Sequence, residues 1–107
     1  MTLYEMLKYW LLDTLEKYRD TPKNAPKRIF IDKIIEVSRR AAEYSTEDKQ
    51  YHNLVVLRYL TDTRPSVHQI CKALHIGRQK ENYERITGYA IDRLLVLVFG
   101  VNGINWN

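Results

Sequence analysis

An all-α fold of five helices follows from three features of this 107-residue chain. Apolar residues recur at spacings of three and four, strand-type alternation is scarce, and prolines with capping residues cut the chain into helix-length pieces. The expected helices cover about residues 2–19, 27–44, 46–60, 66–75 and 79–99. The length fits one domain, 1–107, with a small core, made of an amino-terminal helical pair (1–44) and a second helical unit (46–99).

The first helix is announced by Thr2-Leu3-Tyr4-Glu5, a capping-box spacing that lets Thr2 accept from a free amide while Glu5 reaches back. Leu3, Met6, Leu7, Trp10, Leu11, Leu15 and Tyr18 then mark one broad apolar stripe. Pro22 and Pro26 exclude a helix interior, so 21–26 is a connection. In the second helix the expected buried side is Phe30 or Ile31, Ile34, Val37, Ala41 and Tyr44, with Arg28, Lys33, Arg39 and Arg40 in water. Ser45 followed by Glu47 and Asp48 is a second start signal, a hydroxyl cap with acids in the first turn. The third helix should bury Tyr51, Leu54, Val55 and Tyr59 and stop before Pro65, which biases Arg64 away from helix. Ser66 caps the fourth helix. The tail 101–107 reads as a turn, with Trp106 folding back.

Charge and cysteine content narrow the function classes. The net charge is +4. It sits in two blocks, 21–44 and 64–107, each with six basic and three acidic residues, which agrees with a polyanionic partner. Cys71 is the one cysteine, so no internal disulfide forms, and its place on an apolar helix face makes it a packing residue in a reducing compartment. Charges interrupt 3–18 and the longest apolar run, 94–99, is too short to span a bilayer. A soluble, cytoplasmic protein with no membrane association is expected.

The most informative stretch is 66–77. A short helix with Val67, Ile70, Cys71 and Leu74 on one face is followed by a turn in which Ile76 closes a small core. A longer helix with Tyr83, Ile86, Ala90 and Leu94 inward follows, and Glu81, Glu84, Arg85 and Gly88 are turned outward. This is the pattern of a helix-turn-helix, whose second helix enters the DNA major groove. Taken with residues 54–60 before it and Ala90-Ile91-Asp92-Arg93-Leu94 after it, the order resembles the promoter-recognition helix-turn-helix of bacterial sigma factors. It resembles still more the sigma-like phage transcriptional regulators of the ArpU and RinA type, whose last helix often ends like Leu97-Val98-Phe99-Gly100. The likeness covers about half the chain, from Leu54 onward.

That resemblance implies a DNA-binding transcriptional regulator of phage or prophage origin, with double-stranded DNA as partner and RNA polymerase as a further candidate. Two departures bear on the site. The family usually has Gly at the turn and Ser as cap, where this chain has His75 and Gly77, and about two extra residues precede Tyr83. Gly serves as an N-cap and His tolerates a positive φ better than a branched residue, so the turn can form. The recognition helix starts either at Arg78 or after Asn82 as cap.

Residue chemistry assigns the candidate roles. Arg78, Lys80 and Arg85 can donate to guanine edges or phosphates, and Gln79 and Asn82 can pair with adenine. Arg64, Ser66 and Lys72 flank the motif as phosphate contacts. Glu81 and Glu84 oppose nonspecific backbone binding. Gly88 costs about 1 kcal/mol against Ala within a helix, which points to a close approach there.

Other readings compete. A solvated polar face also accounts for 78–85, and plain packing modules share this helix order. His68, Cys71 and His75 fall on one helix side, but one short helix offers at most three ligands and Cys71 belongs to the core, so no metal is assigned. No phosphate loop or nucleophile signature is present, and neither an enzyme nor a cofactor is expected. The run 94–99 is apolar all round, with Leu95 nearly opposite Ile86, and must be covered by the first two helices or by a second copy. The expectation is a homodimer with Leu94, Leu95, Val98 and Phe99 at the interface. The alternative function is a small helical interaction or phage assembly adaptor that uses this last helix.

Overall fold

The computed structural model describes residues 1–100. Among these the elements are α1 (Leu3–Glu16), a 3₁₀ turn (Tyr18–Asp20), α2 (Pro26–Ala42), α3 (Thr46–Val55) continued by a π turn (Val56–Leu60), α4 (Val67–Leu74) and α5 (Lys80–Phe99). The all-α expectation with five helices is met, and no described helix is long and apolar enough to cross a membrane. The expected turn at 101–107 and the placing of Trp106 lie outside the described residues.

Helix ends follow from capping. Thr2 Oγ1 accepts from the Glu5 amide and Ser45 Oγ from the Asp48 amide, each satisfying one of the free donors of a first turn. Pro26 stands at the first position of α2, where its missing N–H costs nothing. α1 stops earlier than expected, and the chain tightens through the 3₁₀ turn. Arg19 fastens this turn, donating from Nε to the Thr61 carbonyl (2.6 Å) and from Nη2 to the Leu57 carbonyl (3.2 Å).

The larger of two cores is made by α1, α2, α3 and α5. It contains Leu11, Leu15, Tyr18, Ile31, Ile34, Val55, Tyr59, Ala90, Ile91, Leu94 and Leu95. Polar side chains lock its helices together. Asp48, 7% exposed at the start of α3, accepts a two-pronged contact from Arg93 of α5 (2.7 and 3.2 Å). Asp92 accepts from Tyr4 and from Lys8 (3.0 Å) of α1. Tyr18 donates to Asp32 while its ring lies 4.2 Å beneath the Arg28 guanidinium, so Arg28 is not simply solvated. Each lock ties groups that would cost energy if buried alone.

The smaller core lies between α4, the turn after it and the start of α5. Ile70, Cys71 and Tyr83 are its buried members, with Leu57, Leu74 and Ile76 packed against them. Cys71 is fully buried here, as a packing residue should be.

Three expectations about burial need correction. Leu3 and Met6 of α1 are 61% and 54% exposed, since the core takes the neighbouring Leu11, Thr14 and Leu15 side of that helix. Val37 and Tyr44 point to solvent and Ser38 is buried instead, paired with His52 Nδ1 at 3.0 Å. Leu94 and Leu95 are not a free interface: they are 2% and 0% exposed because α1 and α2 fold over them, and Val98 and Phe99 pack half-buried against the same core. Leu95→Asp should therefore unfold the chain rather than dissociate a pair of intact subunits. Leu95→Ala should cost about 2–5 kcal/mol in urea denaturation, the usual loss for a fully buried leucine.

Candidate nucleic-acid interface

α4 is only eight residues long, too short to hold itself, and its two ends explain why it forms. At the start Ser66 Oγ accepts from the Gln69 amide (3.1 Å) and the Gln69 side chain accepts from the Ser66 amide (2.8 Å), a complete capping box. At the end His75 takes the left-handed conformation (φ 57°, ψ 40°) usually given to Gly. The Ile76 amide then donates to the Cys71 carbonyl (3.0 Å) and the His75 amide to the Lys72 carbonyl (3.3 Å). These two bonds close the helix end, and Ile76 turns in beside Cys71 in the small core. His75 is the one described non-glycine residue with positive φ, the position where the resembling family usually has Gly.

α5 begins at Lys80 with Gln79 as its cap residue, so the observed start falls between the two left open by the sequence, Arg78 and the residue after Asn82. The Gln79 side chain makes no capping bond, so the first amides of α5 face solvent without a side-chain acceptor. The inward stripe is Tyr83, Thr87, Ala90, Ile91, Leu94 and Leu95. Ile86, expected in this stripe, is only half-buried, because Thr87 takes the place beneath Arg58.

Arg58, at the end of the third helical segment, holds α5 against the body. Its guanidinium lies 4.7 Å above the Tyr83 ring and 5.3 Å from that of Tyr59, donates to Thr87 Oγ1 (2.9 Å) and pairs with Glu84 (3.2 Å). Burial pushes the Tyr83 phenol above its ordinary pKa, so it is neutral at physiological pH. Glu84 is paired with Arg58 within the chain. The sequence offers no signal for this contact, since Arg58 and Glu84 are 26 positions apart.

The expected contact residues divide into two groups. Arg78, Gln79, Asn82 and Arg85 line one open hollow of about 620 Å3 at the start of α5, together with Gly77 and Glu81. Lys72 and Lys80 are exposed on α4 and at the first residue of α5. Among the described residues none of Lys72, Arg78, Lys80 or Arg85 forms an ion pair, so four cations face solvent with Glu81 as the unpaired acid beside them.

The second group has other work. Ser66 is committed to the capping box at both its hydroxyl and its amide. Arg64 is paired with Asp20 at 3.5 Å, an exposed contact that phosphate can displace. Within the first group, Asn82 has both ends of its amide engaged inside the chain: Nδ2 donates to the Gly77 carbonyl (3.2 Å) and Oδ1 accepts from Arg85. Sequence inspection misses this use because an amide side chain reads alike in both roles.

Gly88 lies open. A Cβ added there meets nothing within 4 Å, so no part of the described chain requires the glycine. Gly88→Ala should raise stability by roughly 0.5–1 kcal/mol in urea or thermal denaturation.

Comparison with protein families, with curated proteins and with solved structures returns no match to this chain.

Proposed function

We propose that this chain is a sequence-specific double-stranded DNA-binding transcriptional regulator of the sigma-like phage type, acting through the α4–turn–α5 unit. The observation that carries the reading is the electrostatics of the exposed start of α5. Lys72, Arg78, Lys80 and Arg85 are unpaired among the described residues, while Arg58 cancels Glu84, the acid that would otherwise oppose them. A helix braced from behind, with cations and amides at its first turns, suits the major groove, where guanidinium groups meet guanine and phosphate. The sequence resemblance from Leu54 onward supports the same assignment. The role is binding, with no reaction and no cofactor, and RNA polymerase is the partner a sigma-like regulator would meet.

The adaptor reading loses its specific surface, because Leu94 and Leu95 lie inside the chain's own core. Helix-turn-helix units commonly pair to read two half-sites. A homodimer of this chain would have to meet elsewhere than at those two leucines.

Binding of the purified chain to fluorescent duplex from its own upstream region, against a scrambled duplex at several salt concentrations, tests the proposal. Tight, sequence-preferring binding that weakens with salt is expected. Arg78→Ala with Arg85→Ala should weaken it by roughly 30-fold or more and reduce the log–log salt slope by at least about 1, without change in helix content. Unchanged affinity in the double variant would overturn the assigned site.

A further inference from the structure

The turn and the first two turns of α5 carry a short relay of three residues. The Gly77 carbonyl accepts from Asn82 Nδ2 at 3.2 Å, and Asn82 Oδ1 accepts from Arg85 Nη2. A Cβ on residue 77 would stand 3.0 Å from Asn82 Nδ2 and 3.7 Å from its Cγ. No positive φ calls for glycine at 77, so what its missing side chain supplies is room: a Cβ there would press the Asn82 amide aside by a few tenths of an ångström.

We propose that Asn82 is a positioning residue that aims Arg85 at one guanine, with Gly77 supplying the space it needs. The inference rests on the DNA-binding reading above and divides the labour within it. Arginine has five N–H donors, and Asn82 engages Nη2 alone, leaving donors for a two-pronged contact to guanine O6 and N7. Anchoring also restricts a long, rotamer-rich side chain in advance, so less conformational freedom is lost when the base contact forms.

Charge is preserved because the anchor is a neutral amide. Among the described residues Arg85 meets no carboxylate, unlike Arg58 with Glu84 or Arg93 with Asp48. Arg78 lines the same hollow with no such anchor. Arg85 is thus the base reader, and Arg78 supplies charge to the phosphate backbone without selecting sequence.

Selection from a pool of random duplexes, followed by sequencing, tests the assignment with the full chain and its Arg85→Ala, Asn82→Ala, Asn82→Asp and Gly77→Ala variants. Circular dichroism checks the fold of each. The wild-type chain should enrich a site containing one guanine whose preference disappears in Arg85→Ala. Asn82→Ala and Gly77→Ala should lose at least about fivefold of that preference while other positions keep theirs. Asn82→Asp keeps an oxygen for Arg85 but sets a second acceptor against the Gly77 carbonyl, so it too should lose guanine preference.

A merely structural Asn82 would weaken all positions together, and that result overturns the positioning role. Asn82→Ala enriching the same guanine as strongly as wild type also overturns it and leaves the DNA reading standing. Loss of an adenine preference instead would overturn it in favour of direct reading by Asn82. A wild-type chain that enriches no sequence overturns both readings.

Discussion

The structure depends on one helix serving two cores, and on the polar joint that lets it do so. The last turns of α5 give Ala90, Ile91, Leu94 and Leu95 to the main core, while Tyr83 near its start belongs to the core beneath the turn. Thr87 stands between them, 4% exposed, donating to the Tyr83 carbonyl (2.8 Å) and accepting from Arg58 (2.9 Å). Its bond to the Tyr83 carbonyl satisfies the buried hydroxyl proton, since an unsatisfied buried polar group costs about 1–3 kcal/mol. Arg58 supplies the second bond and covers Tyr83 with its guanidinium, so the joint is sealed without an apolar residue. This fixes the direction in which the first turns of α5 leave the body.

Stability is distributed unevenly as a result. The main core draws on four helices and three polar locks, whereas the small core has three buried side chains and three partly buried ones. α4 leans on its capping box, its left-handed end at His75 and that small core. Local opening is drawn from the regions with fewest buried contacts, which places α4 and the turn at the low end of the chain's stability range.

Much of this is legible in the sequence, and the failures share a cause. Helix ends are readable because Ser45, Ser66 and Pro26 act through their immediate neighbours. The turn is readable too, since His75 is among the residues that tolerate positive φ. Which of two adjacent apolar stripes faces inward is not readable: α1 buries Leu11 and Leu15 but exposes Leu3 and Met6, a choice made by the position of α2 and α5. Sequence reasoning puts Leu95 at an interface because it cannot show α1 and α2 closing over that residue. The polar joints are equally hidden, as Arg93 with Asp48 and Tyr4 with Asp92 span 45 and 88 positions. At the candidate site the residue types are legible. Their partners are not: Ser66 and Asn82 hydrogen-bond within the chain, whereas Arg78 and Arg85 form no ion pair among the described residues.

The central claim is that nucleic acid engages the exposed start of α5. The most direct measurement is a two-dimensional amide NMR titration of the chain with short duplex DNA at low salt, with the shifted amides mapped onto the structure. If nucleic acid binds there, shifts concentrate at residues 77–85 and at Lys72, with the amides of α1 and α2 unmoved. No shifts at low salt, or shifts confined to α1 and α2, would contradict it.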